Sequence, residues 1–240
     1  DTYFKALATY VNDGLDTCGY CYCPGDVMAT TDAWRQPLVS WKKQFLRWIN
    51  QPSSKALMHA SIFFDMRCIY GDQNLFHELQ KTVCDAASGN EIFLANLTAN
   101  AVNLTPPMGF FKSFVVSRSG EHKHTFDMKL RGIMPINDIA RIYALSVGSE
   151  EVHTLDRLKE AVSHKLLTLK DARNLVDAHE FISRLRLEHQ GERLKEGQVP
   201  DNHLDPSTLS SLSRHQLKDA FAVVADAQSA LRVKFTRGLM

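Results

Sequence analysis

The sequence predicts an α+β fold that is predominantly helical: a short mixed segment followed by a helical bundle. Apolar residues recur at spacings of three and four over most of the chain beyond residue 73, the period of helices with one buried face. One short run, "SIFFDMRCIY" (Ser61–Tyr70), is aromatic and β-branched and stops at Gly71-Asp72, as a buried strand does. Two further strand-like runs, Phe114–Ser117 and Thr125–Lys129, flank the polar stretch "RSGEHKH" and predict a hairpin.

Taken in order, residues 2–16 predict a helix, with Phe4, Leu7, Ala8, Val11 and Leu15 on one face. "CGYCYCPGD" breaks it through Gly19, Pro24 and Gly25. A second helix spans 37–50, where Pro37 suits the first turn and Leu38, Trp41, Phe45 and Trp48 share a face. "NQPSS" ends it, and the expected strand over 60–69 follows. Helices are expected at 73–87 and 90–103, then a break at "TPPMGFF" and the hairpin. Pro135 opens a helix to Ser146. Thr154 is placed to cap "LDRLKEAVSH", and Thr168 with Asp171 makes a capping-box pattern for a long helix to Lys195. After the polar loop "EGQVPDNHLDPS", the last helix runs over 208–235. One or two strands do not make a stable sheet. The 60–69 strand therefore either pairs with the 114–129 hairpin or belongs to a sheet whose other strands lie upstream of Asp1.

Bulk properties exclude several functions. The chain has 240 residues, 28 Lys and Arg against 27 Asp and Glu, and a net charge of +1. That gives no general field for nucleic acid or an anionic membrane. No apolar run approaches the roughly 18 residues of a membrane span, and "DTYFKALATYV" has no basic signal-peptide start. Five cysteines, an odd number, in a chain able to build a core point to a reducing cytoplasm. Without a secretory signal, the sequons at Asn96 and Asn103 read as chance. The absence of an initiator Met suggests a piece of a longer protein.

Asp65 poses the sharpest chemical question, because an unpaired carboxylate on a buried strand is costly. It is either a salt-bridge partner, for instance of Arg67 at i+2, or a metal ligand for phosphoryl transfer, where carboxylates converge on cations. Cys18-x-x-Cys21-x-Cys23 lacks the second ligand pair of a zinc site and reads as structural or incidental thiols. "GEHKHTFDMKLRG" gathers His122, Lys123, His124, Asp127, Lys129 and Arg131. It is either a solvated hairpin edge or a face from which Lys129 and Arg131 meet phosphate oxygens. "VGSEE" is followed by no Asp-x-Asp pair and reads as a helix end. No P-loop, dinucleotide fingerprint, zincin or nucleophile-elbow motif is present.

Five stretches together resemble one family: "YFKALATYVNDGLDTCGYCYCPGDVMATTDAWRQPLVSW", "IFFDMRCIYGD", "PPMGFFKSFVV", "GEHKHTFDMKLRGIMPINDIARIYAL" and "PDNHLDPSTLSSLSRHQLKDAF". The chain is similar, over nearly its whole length, to bacterial nucleotidyltransferases related to the N-terminal domain of PII-uridylyltransferase. These occur beside CBS and cyclic-nucleotide-binding domains in signalling proteins.

The resemblance implies the remnant of a polymerase-β-like sheet in residues 1–75 and a helical substrate-binding domain in 76–240. It implies a nucleoside triphosphate as donor and an acceptor such as a PII-like protein, with Mg2+ in the intact enzyme and none in this chain alone. It makes Asp65-Met66-Arg67 with Gly71 similar to the third acidic element of related adenylyltransferases, so that Asp65 is the catalytic and magnesium carboxylate. Arg67, Lys129 and Arg131 are then candidate phosphate contacts. The family's Gly-Ser turn and Asp-x-Asp pair are missing from these residues, so the chain alone is expected to be inactive. The alternative is a non-catalytic helical relay module attached to sensor domains.

Overall fold

The computed structural model describes residues 1–109 and 113–236. Part of the expected break over 105–111 lies outside them. Among the described residues the protein is built of helices with a single two-stranded ribbon. The helices are α1 (Thr2–Thr17), α2 (Leu38–Asn50), α3 (Ser54–Phe63), α4 (Gln73–Ser88), α5 (Glu91–Ala101), α6 (Met134–Ser146), α7 (Thr154–Ser163), α8 (Leu169–Lys195) and α9 (Ser211–Phe235). The ribbon pairs β1 (Phe126–Asp127) antiparallel with β2 (His203–Leu204), Phe126 opposite Leu204.

Local chemistry accounts for most helix starts. The side chains of Ser53, Asp72, Asn90, Thr168 and Ser210 each accept a hydrogen bond from a backbone N–H of the helix they precede. These are the donors a helix cannot satisfy internally. Thr154 is instead the first residue of α7, and its hydroxyl donates to Asn137 Oδ1 at 3.1 Å.

The strand expected over 60–69 is not formed. Ser53 caps a helix that takes in the start of this stretch, to Phe63, and Ala56, Leu57 and Ala60 of the helix, with Phe64 just beyond it, are buried. Their spacing is helical; the run was short enough for its aromatic composition to suggest a strand instead. Residues 66–69 have no regular structure, and the turn closes at Gly71, whose φ of +101° suits glycine.

The hairpin is also reduced. Ser117 and Thr125 are bridged by a backbone bond of 2.9 Å, but Phe114 pairs with Met108 and β1 pairs with the distant β2. Lys129 begins a π-helical turn, Lys129–Ile133, that runs into α6. No strand of the described residues pairs with residues 60–69, so the expected sheet remnant is absent among them.

One hydrophobic core runs from Phe45 on α2 to Leu231 on α9, with contributors on both sides of residue 75. Its centre is α6, which is buried on nearly all faces and packs against α4, α5, α7 and α9. The long α8 and α9 pack together, and Leu217, Phe221, Val224 and Leu231 of α9 are fully buried. At Gly132 the π-helical turn meets α8 so closely that a Cβ would sit 2.9 Å from Ile182 Cγ2. By contrast α1 buries only Ala8, and its Phe4, Leu7, Val11 and Leu15 stripe faces outward.

Candidate functional site

Asp65 lies just past the C-terminus of α3, in the turn that follows Phe64. Phe64 is buried against Phe45 and Phe93, which anchors the turn on the core. The carboxylate of Asp65 meets two guanidinium groups. Arg141 of α6 donates from Nε to Oδ1 at 3.0 Å and from Nη2 to Oδ2 at 2.5 Å, a bidentate pair. Arg157 of α7 donates from Nη1 to Oδ1 at 2.5 Å. Arg157 also donates to the carbonyl oxygens of Phe64 at 2.9 Å and Glu151 at 2.6 Å, and Arg141 donates to Asp138 one turn earlier on α6.

The four side chains carry two negative and two positive charges, so the cluster is formally neutral. Asp138, Arg141 and Arg157 are buried, whereas the Asp65 side chain keeps 38% of its exposure and closes the cluster from outside. Burial alone would raise the pKa of Asp65. The Arg141 and Arg157 guanidiniums outweigh it and hold the carboxyl below its ordinary value. Asp138 goes the other way: burial lifts it, more than Arg141 can offset. Burial lowers Arg157 despite Asp65, while Asp65 and Asp138 together keep Arg141 raised against burial.

This geometry ties the end of α3 to α6 and α7. Taking two guanidiniums out of water is expensive, and a carboxylate with satisfied hydrogen bonds is what makes it tolerable. The donor set does not fit a magnesium ion. One carboxylate with both oxygens bonded to guanidiniums would bring the cation beside two positive charges. Among the described residues no group of three or more His, Cys, Asp or Glu side chains is arranged to hold a metal.

The other sequence candidates are dispersed. Arg67 is exposed and is not the ion-pair partner of Asp65. Lys129 is exposed, and Arg131 donates to the Thr105 carbonyl at 2.5 Å. The π-helical turn removes the period of two that would have put Lys129 and Arg131 on one face with Asp127. Asp127 instead accepts from the Leu130 N–H at 2.8 Å. None of these residues bonds to the Asp65 cluster.

Sequence reasoning missed Asp138, Arg141 and Arg157. The available signal was the pair of opposite charges at i and i+3 in "PINDIARIYAL", within a largely apolar helix. Beside the cluster is a small cavity of about 30 Å³, lined mainly by Phe45, Phe63, Phe64, Leu79, Val83 and Cys84, with room for about one water. A larger groove of about 320 Å³ lies between α8 and α9, where Asn174, Asp177, Gln216 and Asp219 surround Phe181 and Val223.

Residues 91–235 match the family described as "Putative nucleotidyltransferase substrate binding domain", and residues 1–55 match "Putative nucleotidyltransferase DUF294". The first match alone covers more than half of the chain, and the chain belongs to this nucleotidyltransferase-like family. No curated protein and no solved structure matches it.

Proposed function

We propose that the chain is the acceptor-holding part of a nucleotidyltransferase-type signalling protein. The match of residues 91–235 to a substrate-binding domain carries this assignment. In the reaction class concerned, an acceptor oxygen attacks the α-phosphorus of a nucleoside triphosphate. The bond to the bridging oxygen of the pyrophosphate breaks, and pyrophosphate leaves with the electron pair. This chain's residues bind and orient the acceptor. The α8–α9 groove offers it amide and carboxylate groups from Asn174, Asp177, Gln216 and Asp219 beside an apolar wall. Asp65 contributes by holding the end of α3 against α6 and α7. The acceptor is a PII-like protein or a small polar molecule, and the donor is UTP or ATP.

The test is to combine the chain with labelled UTP or ATP, magnesium and a PII-like protein or small polar acceptors, and to measure acceptor retention and labelled product separately. Retention without product is expected, and it should weaken in Asp177→Asn and Asp219→Asn. Turnover by this chain alone would place a complete catalytic set among its own residues and refute the assignment.

A second possibility, a non-catalytic relay module, is favoured by the uncovered apolar stripe of α1, which another surface would bury. It predicts that no acceptor is retained at all.

A further inference from the structure

The groove of about 320 Å³ between α8 and α9 continues into a second cavity of about 200 Å³, and the two share Asn174 and Val223. They form one elongated cleft along the helix pair. One half carries Asp177 and Asp219, and the other carries Asp171 and Asp226. No Lys, Arg or His lines either half. Lys218, next to Asp219 in sequence, lies over the Phe114 ring at 5.4 Å instead. Asp171 has a structural task, accepting a hydrogen bond from the Thr168 hydroxyl at 2.6 Å. Asp177, Asp219 and Asp226 are exposed, and among the described residues no protein group bonds to their side chains. Carboxylates gathered along one cleft repel each other, so folding does not account for the arrangement.

A buried polar group opens on the same cleft. Tyr143 of α6 lines the half that holds Asp171 and Asp226, is only 3% exposed, and packs its ring against Phe235 at 5.9 Å. Its hydroxyl has no hydrogen-bond partner among the described residues, although a buried hydroxyl is costly to leave unpaired. Burial, followed by the Asp171 charge, raises the Tyr143 pKa, so the oxygen is a neutral acceptor at neutral pH. Between the carboxylates the floor is apolar, formed by Leu175, Ala220, Val223 and Ala227.

The spacing of the acids sets the length of a matching ligand. Asp219 and Asp226 are two turns apart on α9, about 10 Å along the axis, and Asp171 and Asp177 are about 9 Å apart on α8. A ligand that satisfies both ends carries a positive charge at each and an apolar chain between them. The net charge of the whole chain is +1, so a cation is drawn by this local field and not by the protein at large. We propose that the cleft binds a linear aliphatic polyamine. One terminal ammonium lies between Asp177 and Asp219, the other meets Asp171, Asp226 and the Tyr143 hydroxyl, and the methylenes cover the apolar floor. On the acceptor-holding reading of this groove, on which the proposal rests, the acceptor presents a polycationic aliphatic segment here and its reacting oxygen elsewhere.

Spermidine has the charges and the chain without a hydroxyl, and serves as the binding probe. Calorimetric titration of the full chain at low ionic strength should give one saturable site with a Kd between about 10 μM and 1 mM. Mg2+ and 1,3-diaminopropane lack the span and should bind at least about tenfold more weakly. Asp219→Asn and Asp226→Asn change exposed side chains, should leave circular dichroism unchanged, and should each weaken spermidine about tenfold. Tyr143→Phe keeps the ring and should weaken it about threefold. Asp16→Asn on α1 should leave the affinity unchanged. Full affinity in both Asp219→Asn and Asp226→Asn would overturn the proposal, as would Mg2+ binding as tightly as spermidine. No saturable spermidine signal up to about 10 mM would also overturn it. Retention of neutral or anionic acceptors by the same chain would then leave the acceptor-holding reading in place, whereas retention of none would overturn both.

Discussion

Replacing Asp65 by Asn removes the charge that faces Arg141 and Arg157 while keeping the shape of the side chain. Arg141 retains Asp138, but Arg157 keeps no carboxylate partner and bonds to the Phe64 and Glu151 carbonyls. Breaking a fully buried ion pair from one side costs roughly 3–5 kcal/mol. Because Asp65 keeps 38% side-chain exposure, screening by water reduces this. A loss of about 2–3 kcal/mol is expected at neutral pH, or about 5–10 °C in melting temperature for a chain of this size.

The loss should depend on pH in a definite direction. The folded-state pKa of Asp65 lies below its ordinary 3.8, so the folded protein binds fewer protons there than the unfolded one. The stabilisation is complete above the ordinary value and disappears as pH falls through the folded one. Asp138, with a raised pKa, contributes in the opposite sense, its share being lost as pH rises through its folded value. Comparing variant with wild type by calorimetry from neutral pH down to about pH 2 isolates the Asp65 part. The two melting curves should converge at the acid end. Equal or higher stability of Asp65→Asn at neutral pH would refute the argument, since a carboxylate crowded by other carboxylates gains stability when its charge is removed.

Three further outcomes are expected. Leu217→Ala and Phe221→Ala in α9 should each cost roughly 2–5 kcal/mol by chemical denaturation, both side chains being fully buried; losses near zero at both would mean the seam is misassigned. Gly132→Ala should cost about 1–3 kcal/mol, because its Cβ would lie 2.9 Å from Ile182 Cγ2 in a packed interior, and unchanged stability would show that the α8 contact is looser than described. In a thiol-labelling time course near pH 8, the exposed Cys18 and Cys21 should react quickly and Cys84 last. Burial, followed by the Glu150 charge, pushes the Cys84 thiol up to about 11, and prompt labelling there would contradict its burial.

Most helices were legible because apolar periodicity, a capping residue and a breaker agreed, as in "TLKDARNLVDAHEFISRL" with Thr168 at its start. The stretch Ser61–Tyr70 was not, because local composition and helical spacing conflict over so few residues. The decisive factor was Ser53 and the packing of Ala56, Ala60 and Phe64, which local composition does not report. The residues around Asp65 were hidden for a different reason. Arg141 and Arg157 lie 76 and 92 positions further along the chain, so a search among sequence neighbours stopped at Arg67. The period-two argument for Lys129 and Arg131 failed because Phe126–Asp127 finds its strand partner at His203–Leu204 and the chain turns helical immediately afterwards.

Asp65 acts through Arg141 and Arg157 to fasten α3 to α6 and α7. A double-mutant cycle on stability, combining Asp65→Asn with Arg157→Gln, measures that coupling directly. A coupling energy of about 1.5 kcal/mol or more is predicted, with the double variant less damaged than the sum of its parts, because each single change strands the other group. Additive losses, with a coupling near zero, would show that the two side chains do not hold each other and would contradict the account.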